Sequence, residues 1–381
     1  MNPQTEQVDA VSPAERTGRG GLPFVSGVRT IFLLEMRQRL RARSWYIMLA
    51  IWFVVIGLVF GLAVLTTATV GVDNGGVLFD LVVGFVLFFG LLVAPGLSAN
   101  AVNGDRVAGT LAVLQVTLLT PSQILAGKWL AAWTASLGFL AAATPFTLWA
   151  LALGGVDPLA AVVSILMLAV ELGVVCAVGI GVSALASRPL FSIVTTYMLV
   201  AMLGIGTLIA FGLSMPLVQE DDVEVVYSYS TDGQQYGPRQ PSAEAETPLP
   251  ATDCQSETYR QTVYHTERSA WLLAANPFVV VADAVPYAPV PPSVRDGSAV
   301  YRQPGVMEFL SIGVREAQAG PDLEYTCEES YLGARELQDG QIPIWPLGLG
   351  LQLLLAGALL VAGRARLATP AHRIPRGTRI A

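Results

Sequence analysis

Four groups of side chains in this sequence have the type and setting for chemistry. They are the pair Asp105-Arg106 with the single lysine, Lys128; Glu171 inside an apolar run; the histidines His265 and His372; and the cysteines Cys176, Cys254 and Cys327. Enzyme readings fail on this inventory. The two histidines fall on opposite sides of the expected membrane topology, and H-E-x-x-H is absent. There is no G-x-S-x-G. Gly127-Lys128 is followed by Trp129, and position 122 is Ser122 rather than glycine, so no phosphate-binding loop is present. The expectation is a chain that hydrolyses no ATP itself, holds no metal or cofactor, and binds no nucleic acid.

The surroundings of these groups are apolar. The 381 residues are 53% hydrophobic and 13% charged, with mean hydropathy +0.56. Soluble domains carry roughly 25% charge, so the composition points to an all-α polytopic membrane protein. Six runs, near 45–65, 77–99, 129–153, 159–186, 190–217 and 344–363, are long enough to cross ~30 Å of hydrocarbon. The first is too long for a signal-peptide core, and some forty residues precede it, so it reads as a span. Glu171, in "LMLAVELGVV", falls inside the fourth run. Burying a charge at mid-bilayer costs about 2.5–3.5 kcal/mol on insertion scales, so such a residue faces a cavity or a partner. It is a candidate for the substrate path, or a hydrogen-bonded structural residue at a helix interface. Asp80, at the outer end of the second run, is expected to be wet.

The charge pattern sets an orientation. Arg37, Arg39, Arg41 and Arg43 precede the first span, and Arg364 and Arg366 follow the last. Positive residues flanking spans stay cytoplasmic, so both termini are expected inside. Residues 1–25 then form a disordered arm, and 26–44 a basic amphipathic interfacial helix in which Phe32, Leu33, Met36 and Leu40 share one face. The tail 364–381 is basic and cytoplasmic. Residues 218–343 hold seven arginines against twenty acids and lie outside. Within them, 228–262 read as mobile. "WLLAANPFVVVADAV", 271–285, reads either as a re-entrant or surface element, or as a core helix of the external segment. An oxidising exterior permits a disulfide between Cys254 and Cys327, whereas Cys176 reads as a small buried hydrophobe. The near absence of lysine beside abundant arginine, alanine and glycine suggests a GC-rich bacterium and hence a bacterial plasma membrane.

The segment 103–121 is cytoplasmic in this topology and too polar to span. Leu111, Leu114 and Leu118 fall at helical spacing, with Val107 one turn earlier. Asp105 stands near the expected helix start, where it complements the dipole, and Thr120-Pro121 is expected to end the helix. A short amphipathic helix held between two spans is a mechanical handle for a soluble partner.

The run Asp105-Arg106-Val107-Ala108-Gly109-Thr110-Leu111, then Leu114, Leu118, Thr120-Pro121 and Ile124-Leu125-Ala126-Gly127-Lys128, resembles the coupling segment of type-2 ABC transporter permeases. Their pattern there is similar to E-R-E-x-G-T-L-x-x-L-x-x-T-P followed by I-x-x-G-K. The basic entry helix, the six spans and Asn276-Pro277-Phe278 extend the likeness over most of the chain. Asp105 departs from the family's glutamate and Val107 from its second acid. The resemblance implies an exporter-like permease subunit with no ATPase motif of its own. It implies a separate ABC ATPase, carrying ATP and Mg, docked on the segment, and a second permease copy or paired homologue in the same lipid bilayer. Asp105, Arg106, Gly109, Thr110, Leu111, Leu114, Leu118, Thr120, Pro121 and Lys128 would then carry the coupling. The competing expectation is a non-transporting membrane sensor or assembly protein that uses the acidic external segment.

Overall fold

The structure, a computed structural model, describes residues 23–70, 75–111, 117, 119–154, 156–231, 234–235, 254–287, 304–321, 324–325 and 342–368. The expected arm 1–25 therefore lies almost wholly outside the described residues, as do Leu114, Leu118, Cys327 and most of the tail.

Helix α1 (Phe24–Arg41) breaks at Ala42, whose backbone is extended, and α2 (Arg43–Val70) follows at once as the first span. Then come α3 (Gly75–Ser98), the short α4 (Ala101–Val107), α5 (Pro121–Ala152) and α6 (Pro158–Leu185). The fifth span joins α7 (Pro189–Ala201), a π-helical turn (Met202–Gly206) and α8 (Thr207–Ser214). Strands β1 (Gln219–Thr231), β2 (Gln234–Gln235) and β3 (Cys254–Tyr264) form a hairpin, and β3 pairs antiparallel with β1 from Gln219↔Tyr264 to Tyr229↔Cys254. Next are α9 (Pro277–Ala284), α10 (Val306–Ala319), β4 (Glu324–Tyr325) and the last span, α11 (Trp345–Leu367).

Six helices are long and apolar enough to cross a membrane, and the protein is an all-α polytopic membrane protein. The first span shows why such a surface must meet lipid. Ile47, Ile51, Val54, Leu58, Leu62 and Leu65 recur at three- and four-residue steps and are each more than half exposed. An apolar stripe that long is not left in water. The opposite face of α2 packs inward through Trp45, Trp52, Ile56 and Phe60. Trp52 stacks on Phe85 and donates its indole N–H to the Phe139 carbonyl at 3.0 Å.

Several sequence expectations change. The third span begins at Pro121 rather than 129, two turns earlier. Its polar first turns are covered by α1, because Gly27 and Gly127 let the two backbones approach. A Cβ on Gly127 would lie 2.6 Å from Ile31, and one on Gly27 2.6 Å from Gln123. Thr120-Pro121, expected as a stop, is the start of α5. Thr120 caps α5 in a capping box with Gln123, and Pro121 takes the first helical position. Residues 228–229 and 254–262 of the stretch read as mobile stand in the β1–β3 ladder, and 230–231 pair with β2; their Tyr and Thr suit a strand.

Asp80 is not wet but 5% exposed, and it accepts the Glu308 backbone N–H at 3.0 Å, capping α10. Its polarity is used on a helix end, not on solvent.

Of the two readings of 271–285, the re-entrant one fits. After β3 the chain descends beside the fifth span until Asn276 meets Gly204 and Thr207. Gly204 lies ten residues before Ser214, about 15 Å down that helix. Helix α9 then climbs back with Val279, Val280, Val281 and Ala282 all fully buried. The last span accepts this hairpin through Gly348, where a Cβ would lie 1.9 Å from the Ala274 carbonyl oxygen.

Candidate functional site

Both α1 and the C-terminal end of α11 lie at one end of the bundle, and the polar residues there converge on α4. Lys128 is 2% exposed, and its ammonium is held between two carboxylates. One is Glu35 on α1; the other is Asp105 on α4, at 2.6 Å. A lysine is almost never buried unless paired, so the sequence must supply both acids within reach. It does so from two separate helices, α1 and α4.

Arg106, next in sequence, reaches the other way. Its guanidinium donates to Asn103 Oδ1 at 2.9 Å, to the Ala186 carbonyl at 2.5 Å and to the Ala184 carbonyl at 3.5 Å. Those carbonyls end α6, where the helix dipole is negative and acceptors lack intrahelical partners. In return Ser183 of α6 accepts the Val102 and Asn103 backbone N–H groups at 3.1 and 3.2 Å, which satisfies the start of α4. Arg39 of α1 does the same for α3, donating to the Leu97 carbonyl at 2.9 Å. Adjacent residues of α4 thus bind α1 and α5 through Asp105 and α6 through Arg106.

The expected single helix over 103–121 is interrupted. Gly109 has φ +74, a left-handed conformation that costs a residue with a Cβ roughly 1–2 kcal/mol. The break changes the helical phase. Leu111 is buried with Val102, Leu125, Ile180 and Leu367, whereas Val107 is 70% exposed and does not share its face. Asp105 is the fifth residue of α4 rather than its start, and its carboxylate is taken by Lys128, so the dipole reading of it fails. Lys128 itself is enclosed and offers no surface to a partner. Among the described residues of the segment, Val107, Ala108, Thr110, Thr117 and Thr120 remain exposed. Leu114 and Leu118 lie outside the described residues.

A second polar locus lies at mid-depth. Glu171 is the fourteenth of the 28 residues of α6, and it is fully buried with both carboxylate oxygens lacking a hydrogen-bond partner. It lines a cavity of about 10 Å³ with Gln352 of α11, Pro277 at the start of α9, and Leu91, Val200 and Leu203. Gln352 is the other polar side chain in that lining; its amide nitrogen donates to the Ala275 carbonyl at 3.1 Å and its oxygen is unpaired. Trp129 and Trp133, stacked 5.5 Å apart on α5, donate to the Gly173 and Ala169 carbonyls and pin α6 on either side of Glu171. The N-terminus of α9 favours negative charge by about 0.3–1 kcal/mol. That offsets only part of the 2.5–3.5 kcal/mol cost of a charge at this depth.

The re-entrant hairpin is the part that sequence reasoning left undecided. Asn276 is fully buried. Its amide nitrogen donates to the Gly204 carbonyl at 2.7 Å and Thr207 Oγ1 at 2.9 Å, and its oxygen accepts from the Phe278 N–H. A π turn rearranges the helical ladder, and the Gly204 carbonyl accepts from Asn276 of another element as well as from Thr207 Oγ1 at 3.1 Å. Asp283, at the far end of α9, accepts from the Ile344 and Trp345 N–H groups at 2.7 and 3.1 Å and from Arg315 at 2.9 Å. Asn276-Pro277 ahead of five apolar residues, Phe278 to Ala282, and then Asp283 was the signal for this short, doubly anchored helix. Of the two cysteines of the expected disulfide, Cys254 starts β3 and Cys327 lies outside the described residues.

No family model matches the chain, and no curated protein matches its sequence.

Proposed function

We propose that this chain is the permease subunit of an ATP-driven exporter of the type-2 ABC kind in a bacterial plasma membrane. Its arginine-bearing end faces the cytoplasm, and it works with separate ATPase subunits and a second permease copy. The observation that carries the reading is the anchoring of α4. A connection between two spans that served only as a link would not need a buried lysine, two acids and an arginine. Here a push on exposed Val107, Ala108 and Thr110 passes through Asp105–Lys128–Glu35 to α5 and α1, and through Arg106 to the end of α6. ATP-driven closure of the ATPase pair would move these helices as a unit and switch access along the permease interface. Glu171 is the polar group placed to meet that path.

The test is co-purification with an ATPase encoded beside this reading frame, followed by hydrolysis and transport assays in proteoliposomes. Arg106→Ala and Gly109→Ala are expected to leave hydrolysis running while transport falls, with the spans still folded. Wild-type coupling in both variants, or no nucleotide-hydrolysing companion, ends the proposal.

A further inference from the structure

We propose that Glu171 and Gln352 form a proton-binding site at mid-membrane, closed to both faces in this conformation. Glu171 carries its proton as a neutral acid and donates it towards Gln352 Oε1, beside the small cavity that both residues line.

Three observations carry this. Both Glu171 oxygens and the Gln352 oxygen are buried without partners, on facing helices, around one cavity. Three acceptor atoms that share at most one free N–H, the second hydrogen of the Gln352 amide, cannot be left so in a dry bundle. A proton on Glu171 supplies the missing donor without bringing a charge to this depth. Finally, among the described residues, no cation is placed to neutralise a carboxylate there. The neighbouring elements present only groups already engaged or distant. Trp129 and Trp133 of α5 are spent on α6 carbonyls, and Tyr197 of α7 gives its hydroxyl to the Leu92 carbonyl. Cys176 of α6 faces Ser136, and Asp283 at the far end of α9 is held by Arg315 and two α11 amides. Asp80 of α3 lies at the hairpin end on the α10 amide.

The site joins α6 to α11, so parting these two helices would wet it. The acid could then pass its proton to water, leaving a carboxylate and a hydrated proton, and take it back on closure. This site does not depend on the permease reading, and its test needs no ATPase.

The experiment is infrared difference spectroscopy at pH 7 on the full chain in lipid nanodiscs, wild type minus Glu171→Gln. The expected result is a protonated-acid C=O band present in wild type and lost in the variant. In a second variant, Gln352→Leu, which keeps Glu171, the band should move to higher frequency as its hydrogen bond is removed. A carboxylate band in place of the acid band would mean an ionised group held by a cation, and would overturn the proposal. So would an acid band that Gln352→Leu leaves unmoved.

Discussion

Replacing Lys128 with methionine tests the anchoring of α4 most directly. The variant keeps the length of the side chain and removes the one cation between Glu35 and Asp105. At an effective dielectric near 20, the gross attraction across the 2.6 Å contact with Asp105 is about 6 kcal/mol. Desolvation of each ion offsets several kcal/mol of it. The intact cluster is therefore close to break-even against an apolar one, and the asymmetry lies in removing one member. Breaking a fully buried pair costs about 3–5 kcal/mol. Glu35 and Asp105 keep 15% and 26% exposure, so water shields the orphaned acids in part, and about 3 kcal/mol is expected.

The assay can use a reporter within the fold. Cys176 is fully buried, so a thiol-reactive fluorogenic dye reads opening of the bundle on heating in a Cys254→Ser/Cys327→Ser background. A loss of about 3 kcal/mol should lower the apparent midpoint by roughly 5 °C in a chain of this size. Lys128→Met/Glu35→Gln/Asp105→Asn, which removes the charges together, should recover most of that shift. High salt should change little, because Lys128 is enclosed. A single variant melting within a degree of wild type would refute the reasoning. A triple variant as unstable as the single one would refute it too, since the orphaned carboxylates would then not be the cause.

Two further predictions concern the re-entrant hairpin and the external strands. Asn276→Ala removes a helix cap and the donor to the Gly204 carbonyl, so a loss of about 2–4 kcal/mol is expected, read as a lower midpoint in the same dye assay; an unchanged midpoint would count against the re-entrant anchoring. The Arg268 guanidinium, hydrogen-bonded to Glu220, holds that carboxyl below its usual range. A group depressed in the folded state stabilises above its unfolded value and loses that effect as pH falls through the folded one. Hydrogen exchange in the peptide spanning 257–268, corrected for intrinsic rates, should therefore show less protection as pH drops from about 5 towards 3. Glu220→Gln should abolish that acid step, and an identical step in the variant would remove the pair as its cause.

The spans were legible because hydrocarbon imposes length and apolarity on any helix that crosses it, and those properties are local. Each of the six runs became a helix, with ends moved by what covers them. The third began two turns early because Gly27 and Gly127 bring α1 against Gln123 and Lys128, a contact between residues about a hundred positions apart. The segment 103–121 was legible as amphipathic but not as broken. Periodicity assumes constant phase, and the left-handed Gly109 resets it, so Val107 and Leu111 part company. Asp80 misled for a related reason. An acid near a span end has two outlets, water or an unsatisfied helix terminus, and only the tertiary fold supplied the α10 amide.

These caps follow one physical rule, and it bears on where the bundle can move. In a membrane, helix ends and irregular turns find no water, so other elements must satisfy them. Ser183 serves α4, Arg106 serves α6, Arg39 serves α3, Asp80 serves α10, Asp283 serves α11 and Asn276 serves the π turn. Each such bond crosses between elements, so each resists sliding, five towards the ends of the bundle and the Asn276 bond at mid-depth. Also at mid-depth, α6 and α11 meet at Glu171 and Gln352, whose side chains are linked by the proton proposed above. Bonds that resist sliding make rigid-body tilting cheaper than shear along the helix faces. Helices capped by their neighbours move as rigid units, and parting α6 from α11 at the level of Glu171 would break that one polar link.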